Sequence, residues 1–331
     1  SYRCCSKVRP RMLAMGGPWV PLSSSVCLAE SARDRLEQVA WEVVRDEAVD
    51  TIGNLGHGCK SGLLPILAVT SENYAPVFDF WQSSLDLIGY PVEKRHVHQL
   101  KLTPPFGYCT DSWRQAIDQQ LADVVAWIEA HPGEHFLHTD TDIQFFPRFV
   151  EAQGEWLRWM FREGLDMIFM RERTEVVPHL RQGEVNAGFY LVHCNDRTLQ
   201  FWKQVLAREL QDPKMRGFPP YADQYHLNVA LGYRPDAMFQ MGDFGVRWGV
   251  ISDNQCIWSQ PSSDDELVHA AFHHAVNTAD KPRLLRAVRE KVLARQATVL
   301  QQLNRETVHR LVHDGQANER NSAIAEWEVV S

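Results

Sequence analysis

The segment His135–Phe146 sets two carboxylates, Asp140 and Asp142, directly after the short run His135–Thr139 and just before Ile143, Phe145 and Phe146. In an extended chain residues i and i+2 point to the same side, so this spacing predicts two carboxylates converging at a strand end. Paired hard oxygen donors suit Mn²⁺ or Mg²⁺, which keep other positions for water and substrate phosphates. Such an ion would neutralise and orient a departing diphosphate. The competing reading is a pair of solvated loop acids, and the apolar residues on both sides favour a lined site. A second interruption is Asn186 with Gly188 inside an otherwise apolar run. Glycine within a strand marks a bulge or the close approach of a ligand or another backbone. Asp223 and Gln224 stand at a predicted helix start, where an acid can cap.

These residues need a frame, and from Leu63 onward the pattern alternates between strand and helix. Short apolar runs predict buried strands at 63–69, 135–139, 167–170 and 189–193, with another at 92–100. Between them, 76–88 reads as a helix with Phe78, Trp81, Leu85 and Ile88 on one face. Asp111 is the expected cap of a long helix carrying Trp113, Ile117, Leu121, Val124 and Ile128, ended by Pro132-Gly133. A further helix after Asn195 carries Leu199, Trp202, Leu206 and Leu210. Alternation of this kind predicts an α/β fold with a mostly parallel sheet covered on both sides, and ligands gather at the C-terminal strand ends of such sheets. The expected organisation is an N-terminal arm and helix over 1–60, an α/β domain over 61–285 and a helical extension over 286–331 suited to packing or to homo-oligomer contacts. In the first of these, 31–49 has helical periodicity. Gly53, Gly56, Gly58 and Gly62 lack the order of a phosphate loop and read as a linker.

Composition narrows the class. With 44% hydrophobic and 23% charged residues, the chain of 331 residues is globular in character. A net charge of −8 argues against nucleic acid as partner. The seven cysteines include no CxxC pair and read as free thiols of a reducing compartment, so a cytoplasmic location is expected, with a Golgi-type location through a missing N-terminal anchor as the alternative. No apolar run approaches the length of a transmembrane helix. His57, His131, His135 and His138 show no ligand spacing and read as structural or surface residues, and Arg114 as a surface arginine.

Five segments, in order, resemble a known group. Phe-Leu-His-Thr-Asp-Thr-Asp-Ile-Gln-Phe-Phe (136–146) is similar to the strand and DxD motif of GT-A glycosyltransferases, and among them to the nucleotide-diphospho-sugar transferases. Ala-Val-Thr-Ser-Glu-Asn-Tyr-Ala (68–75) resembles the first strand and loop, Glu-Val-Asn-Ala-Gly-Phe-Tyr-Leu-Val (184–192) the Asn-x-Gly-Phe strand, and Ala-Asp-Gln-Tyr-His-Leu-Asn (222–228) the Asp-Gln helix start. Phe-His-His-Ala-Val-Asn-Thr-Ala-Asp-Lys-Pro (272–282) resembles the glycogenin-type His-x-x-Gly-x-x-Lys-Pro segment, with longer spacing and no glycine.

The resemblance implies a GT-A, Rossmann-like fold and transfer of a sugar from a nucleotide-diphosphate sugar, UDP by default, to a hydroxyl of a glycan, protein or small molecule, with retained anomeric configuration. By it, Asp140, Asp142 and either His273 or His274 hold the metal, and Asp140 and Lys281 meet the diphosphate. Thr70, Ser71 and Tyr74 meet the nucleotide, while Asn186, Asp223 and Gln224 face the sugar and acceptor. Two other classes share parts of this pattern: a nucleotide-sugar-binding module without transfer, and a haloacid-dehalogenase-type phosphatase, whose Asp-x-Asp normally lies near the domain start.

Overall fold

Alternating side chains of the central strands are apolar on both sides, and this alternation builds a sheet buried on two faces. The computed structural model describes residues 62–107, 110–172, 184–211, 223–232, 240–276, 278 and 280–302. All of them fall in one unit, Ala40–Ser331. The expected helix over 31–49 and its neighbouring glycines up to Gly58 lie outside the described residues.

The strands are β1 (Ile66–Ser71), β2 (Arg95–Leu100), β3 (His135–Thr139), β4 (Ile143–Phe145), β5 (Met167–Arg171), β6 (Val185–His193), β7 (Gln240–Met241), β8 (Arg247–Val250), β9 (Cys256–Trp258) and β10 (Phe272–His274). The helices are α1 (Ala75–Leu87), α2 (Asp111–Ala130), α3 (Phe149–Glu163), α4 (Asp196–Gln211), α5 (Asp223–Leu231), α6 (Asp264–His269) and α7 over 281–302. The main sheet has the order β2-β1-β3-β6-β5-β8-β7. β1 runs parallel to β2 and β3, and β5 parallel to β8, while β6 and β7 run against their neighbours. Most strands therefore share one direction, as expected, and the reversed β6 brings its beginning to the C-terminal end of β3. A second sheet, β4-β10-β9, lies beside that end.

Neighbouring residues of one strand serve opposite faces. In β3, Leu137 packs with Trp81 and Leu85 of α1 and with Trp156 and Met160 of α3. Phe136 joins Leu121, Val124 and Ile128 of α2 and Phe201, Trp202 and Val205 of α4. Each such large apolar side chain stabilises the fold by about 1.5–3 kcal/mol. A third cluster joins Leu284, Leu285, Val288 and Val292 of α7 to Val77, Phe146 and Ile257, so α7 is packed against the body that carries the site.

Several expectations need correction. The first strand is displaced to Ile66–Ser71, and 92–94 form a 3₁₀ turn before β2. The cap of α2 is Thr110, whose side chain accepts from the Trp113 N–H, with Asp111 already inside the helix. Thr110 is extended, which aims its hydroxyl at the free N–H groups, and Asp111 still favours the positive helix end by its charge. In α4 the buried stripe is Thr198, Phe201, Trp202, Val205 and Glu209, while Leu210 is 48% exposed. The larger Phe201 and Trp202 take the centre and turn the leucines toward the rim. β6 begins at Val185, four residues before the expected start, because Asn186 and Gly188 continue the strand without breaking it.

Asp166 fastens α4 to the sheet. Its side chain is 2% exposed and accepts from Arg197 Nη2 at 2.6 Å, Asn195 Nδ2 at 2.8 Å and the Arg247 N–H at 2.9 Å. Burial works against its charge, yet these donors outweigh burial and hold the carboxyl below its ordinary range. A carboxyl depressed in the folded state contributes stability above its unfolded value, about 3.9, and loses it as pH falls through the folded one. Asp166→Asn is thus expected to cost about 2 kcal/mol at pH 7, with a gap to wild type that narrows below about pH 4. Urea melts at both pH values measure this, and a gap of constant size would exclude the charge as its cause.

Candidate active site

β3 ends at Thr139, and the chain turns there at once. The Asp140 N–H donates to Gly188 O at 2.7 Å, and the Ile143 N–H returns to Asp140 O at 3.4 Å. The two aspartates therefore sit on a turn, not on the extended segment their spacing predicts, because β4 must double back to pair with β10. Their carboxylates still converge. One ligand atom from each of Asp140, Asp142 and His274 lies within 4.8 Å of the others.

Strand pairing supplies the histidine. His274 is opposite Ile143, and the Ala275 N–H donates to Asp142 O at 3.0 Å. His274 Nε2 stands 3.1 Å from Asp142 Oδ1 and 3.6 Å from Asp140 Oδ2. His273, its neighbour, points the other way. Its Nδ1 meets Gln144 Nε2 at 2.8 Å, and its Nε2 meets Ser259 O at 2.9 Å. Burial pushes His273 down to about 3, so it is neutral and occupied at both nitrogens. Of the two histidines left open by the sequence, the structure brings His274 to the aspartates.

Lys281, the first residue of α7, donates to Asp142 Oδ2 and lies 5.4 Å from the centre of the Tyr74 ring. Burial disfavours the Asp142 charge, but Lys281 and His274 outweigh it and hold the carboxyl below its ordinary range. Burial likewise opposes a charged His274, and the two aspartates reverse this and raise it.

The donor set fits a divalent ion. Two carboxylates and an imidazole match Mn²⁺ or Mg²⁺. Among the described residues His274 Nδ1 is buried and makes no hydrogen bond, and buried Asp142 Oδ1 has no partner besides the His274 ring. The space is kept by Gly188: a Cβ there would lie 2.5 Å from His274 Cε1 and 2.6 Å from Asp140 Oδ2.

Next to this group, the amides of Asn186 and Gln224 are locked together. Both donate to Glu172 Oε2 at 2.8 Å. Gln224 Oε1 accepts from Asn186 Nδ2 at 3.1 Å and from the Ala187 N–H at 3.2 Å, and Asn186 Oδ1 accepts from the Gly188 N–H at 2.8 Å. Asp223, at the start of α5, is buried, and burial followed by the Asp140 charge pushes its carboxyl up to about 7. Thr70 and Ser71 are buried at the C-terminal end of β1. The Thr70 hydroxyl has no partner among the described residues, and Ser71 Oγ donates to Asn73 Oδ1 at 2.8 Å. Glu172 was missed from the sequence. Its signal was the one used for Asp140, an acid just beyond an apolar strand, here obscured by the intervening Arg171.

A sheet with two reversed strands, helices on both faces and an Asp-Asp-His group at the end of a central strand agree with the GT-A type of fold expected from the sequence. Residues 130–287 match the model of the family described as nucleotide-diphospho-sugar transferase. No curated protein matches the sequence.

Among solved structures, the chain is similar to a glycosyltransferase involved in glycosylation of the major capsid of PBCV-1. Identity is 12% and TM-score 0.44, covering 68% of this chain and 99% of that one. It is similar to the glycosyltransferase GlyE of Streptococcus pneumoniae TIGR4 at 13% identity and TM-score 0.41, covering 74% of this chain and 65% of that one. It is also similar to galactosyltransferase LgtC in complex with donor and acceptor sugar analogs, at 10% identity and TM-score 0.37, covering 69% and 95%. Among the described residues no helix is long and apolar enough to cross a membrane.

Proposed function

We propose that the protein transfers a sugar from a nucleoside-diphosphate sugar, UDP-linked in the first instance, to an acceptor hydroxyl with the help of a divalent metal. The convergence of Asp140, Asp142 and His274 around Gly188 carries this reading. When bound there, Mn²⁺ or Mg²⁺ supplies charge neutralisation for a departing diphosphate. Lys281, beside Asp142, adds a point charge that can turn to a phosphate oxygen. Tyr74, against the same lysine, would stack on the base, with Thr70 and Ser71 offering hydroxyls to the nucleotide.

Asp223, raised to about 7, can both donate to and accept from sugar hydroxyls near neutral pH. Asn186 and Gln224 line the sugar side. Both ends of the Gln224 amide are held by protein groups, which suits a fixed wall better than an attacking group. Glu172 is likewise committed at Oε2 to two amides. This favours attack by the acceptor on the donor's own face, with retained configuration, over a covalent intermediate. An inverted product in an anomer-resolved NMR assay would remove the stereochemical part alone.

The defining experiment measures nucleoside diphosphate released from a panel of nucleotide sugars, with Mn²⁺ and with chelator. Release from one donor that Mn²⁺ stimulates and chelator abolishes is the expected result. Donor binding without turnover across a broad acceptor panel would instead indicate a binding module, and hydrolysis of a generic phosphate ester without donor would indicate a phosphatase.

A further inference from the structure

His138 lies two residues before Asp140, next to the end of β3, and is 1% exposed. Its ring stacks on Tyr190 with centres 4.6 Å apart and planes 21° apart, and Tyr190 stacks in turn on Trp202 at 4.8 Å and 27°. The core thus fixes the plane of the imidazole. Within that plane Nε2 is buried and makes no hydrogen bond among the described residues. The facing charge is Asp140 Oδ1, 3.8 Å away. The other oxygen of that carboxylate, Oδ2, faces His274.

For packing alone this arrangement is costly. A buried polar nitrogen without a partner is destabilising, and phenylalanine would fill the same place in the ring stack without that cost. The Asp140 side chain is 36% exposed and can turn, and a small rotation closes the gap to hydrogen-bonding distance. Groups that hold the second oxygen of a ligating carboxylate fix which oxygen is offered to a metal.

We propose that His138 is a positioning residue, holding Asp140 Oδ1 so that Oδ2 is presented to a divalent ion between Asp140, Asp142 and His274. The inference rests on the metal-binding reading of that group. It gives His138 a role through space that its position in the sequence does not suggest.

The test is Mn²⁺ binding, with and without UDP, followed by the electron paramagnetic resonance of the free ion, together with melting temperature. Wild type, His138→Phe and His138→Gln are compared. His138→Phe is expected to bind Mn²⁺ at least about tenfold more weakly while melting at the wild-type temperature or above, since an unsatisfied nitrogen has been removed. His138→Gln, which keeps an N–H of similar reach, should recover part of the affinity. Unchanged Mn²⁺ binding in His138→Phe overturns the positioning role and leaves the metal site standing. Weaker binding accompanied by a lower melting temperature in both variants also overturns it, because packing is then the cause. A wild-type protein that binds no Mn²⁺ removes the metal reading and this inference together.

Discussion

Replacing Asp142 by alanine is expected to lower Mn²⁺-stimulated release of nucleoside diphosphate by about a thousandfold. Asp142 is the member of the group that touches everything else: Lys281 donates to its Oδ2, and His274 stands 3.1 Å from its Oδ1. Without it, Lys281 loses its counter-charge in a buried site, His274 loses the carboxylate beside it, and a bound ion would lose one of its three protein donors. Loss of one preorganised charge-stabilising group costs about 10²–10³ in turnover, and here the same change also weakens the hold on the metal. Because the alanine protein could be less stable, Asp142→Asn serves as the partner variant. It keeps the volume and still removes the charge, so a comparable loss with an unchanged melting temperature assigns the effect to charge. Retention of more than about a tenth of the wild-type rate in both would place the metal elsewhere, since one tenth is only about 1.4 kcal/mol of barrier.

How much of this could be read from the sequence depended on whether the cause was local. The bounds of β3 were legible because an apolar run stops abruptly at a carboxylate. Asn186, Gly188, Asp223 and Gln224 were legible because each breaks a local pattern or opens a helix. Choosing between His273 and His274 was not, because adjacent residues of a strand face opposite sides and no periodicity says which side is the site. That choice is made by β10, a strand of three residues paired with β4 across more than a hundred residues of chain. Strands so short leave no alternating signature. His138 was read as structural for a related reason: its one telling neighbour, Asp140, is close in sequence, but the buried and unpartnered state of its nitrogen exists only in three dimensions. The same holds for Glu172, whose importance lies in two amides brought to it from β6 and α5. The α4 stripe shows the opposite failure, in which a local pattern of leucines was present but larger neighbours took the core.

Gly188→Ala should lower the rate by about a hundredfold although it substitutes none of the candidate metal donors. The backbone of Gly188 lies outside the left-handed region, so alanine meets no conformational penalty and the whole effect comes from one methyl group. That methyl would sit 2.5 Å from His274 Cε1, 2.6 Å from Asp140 Oδ2 and 2.9 Å from Asn186 Oδ1. His274 cannot yield easily, since β10 is paired on both sides. Asn186 is tied to Glu172 and Gln224. The Asp140 N–H is bonded to Gly188 O, so the strands cannot separate without losing that bond. The Asp140 carboxylate, partly exposed, is the group that must swing away, and it takes one metal donor with it. A displacement near 1 Å in a reacting constellation costs about a hundredfold in rate, and overpacking costs about 1–3 kcal/mol of stability. Steady-state release of nucleoside diphosphate against Mn²⁺ concentration separates these: the expected variant is folded, needs more Mn²⁺ for half-saturation and remains slow at saturation. A Gly188→Ala protein that works at the wild-type rate and Mn²⁺ requirement would mean that Asp140 and His274 can part without consequence, which is incompatible with a shared metal between them.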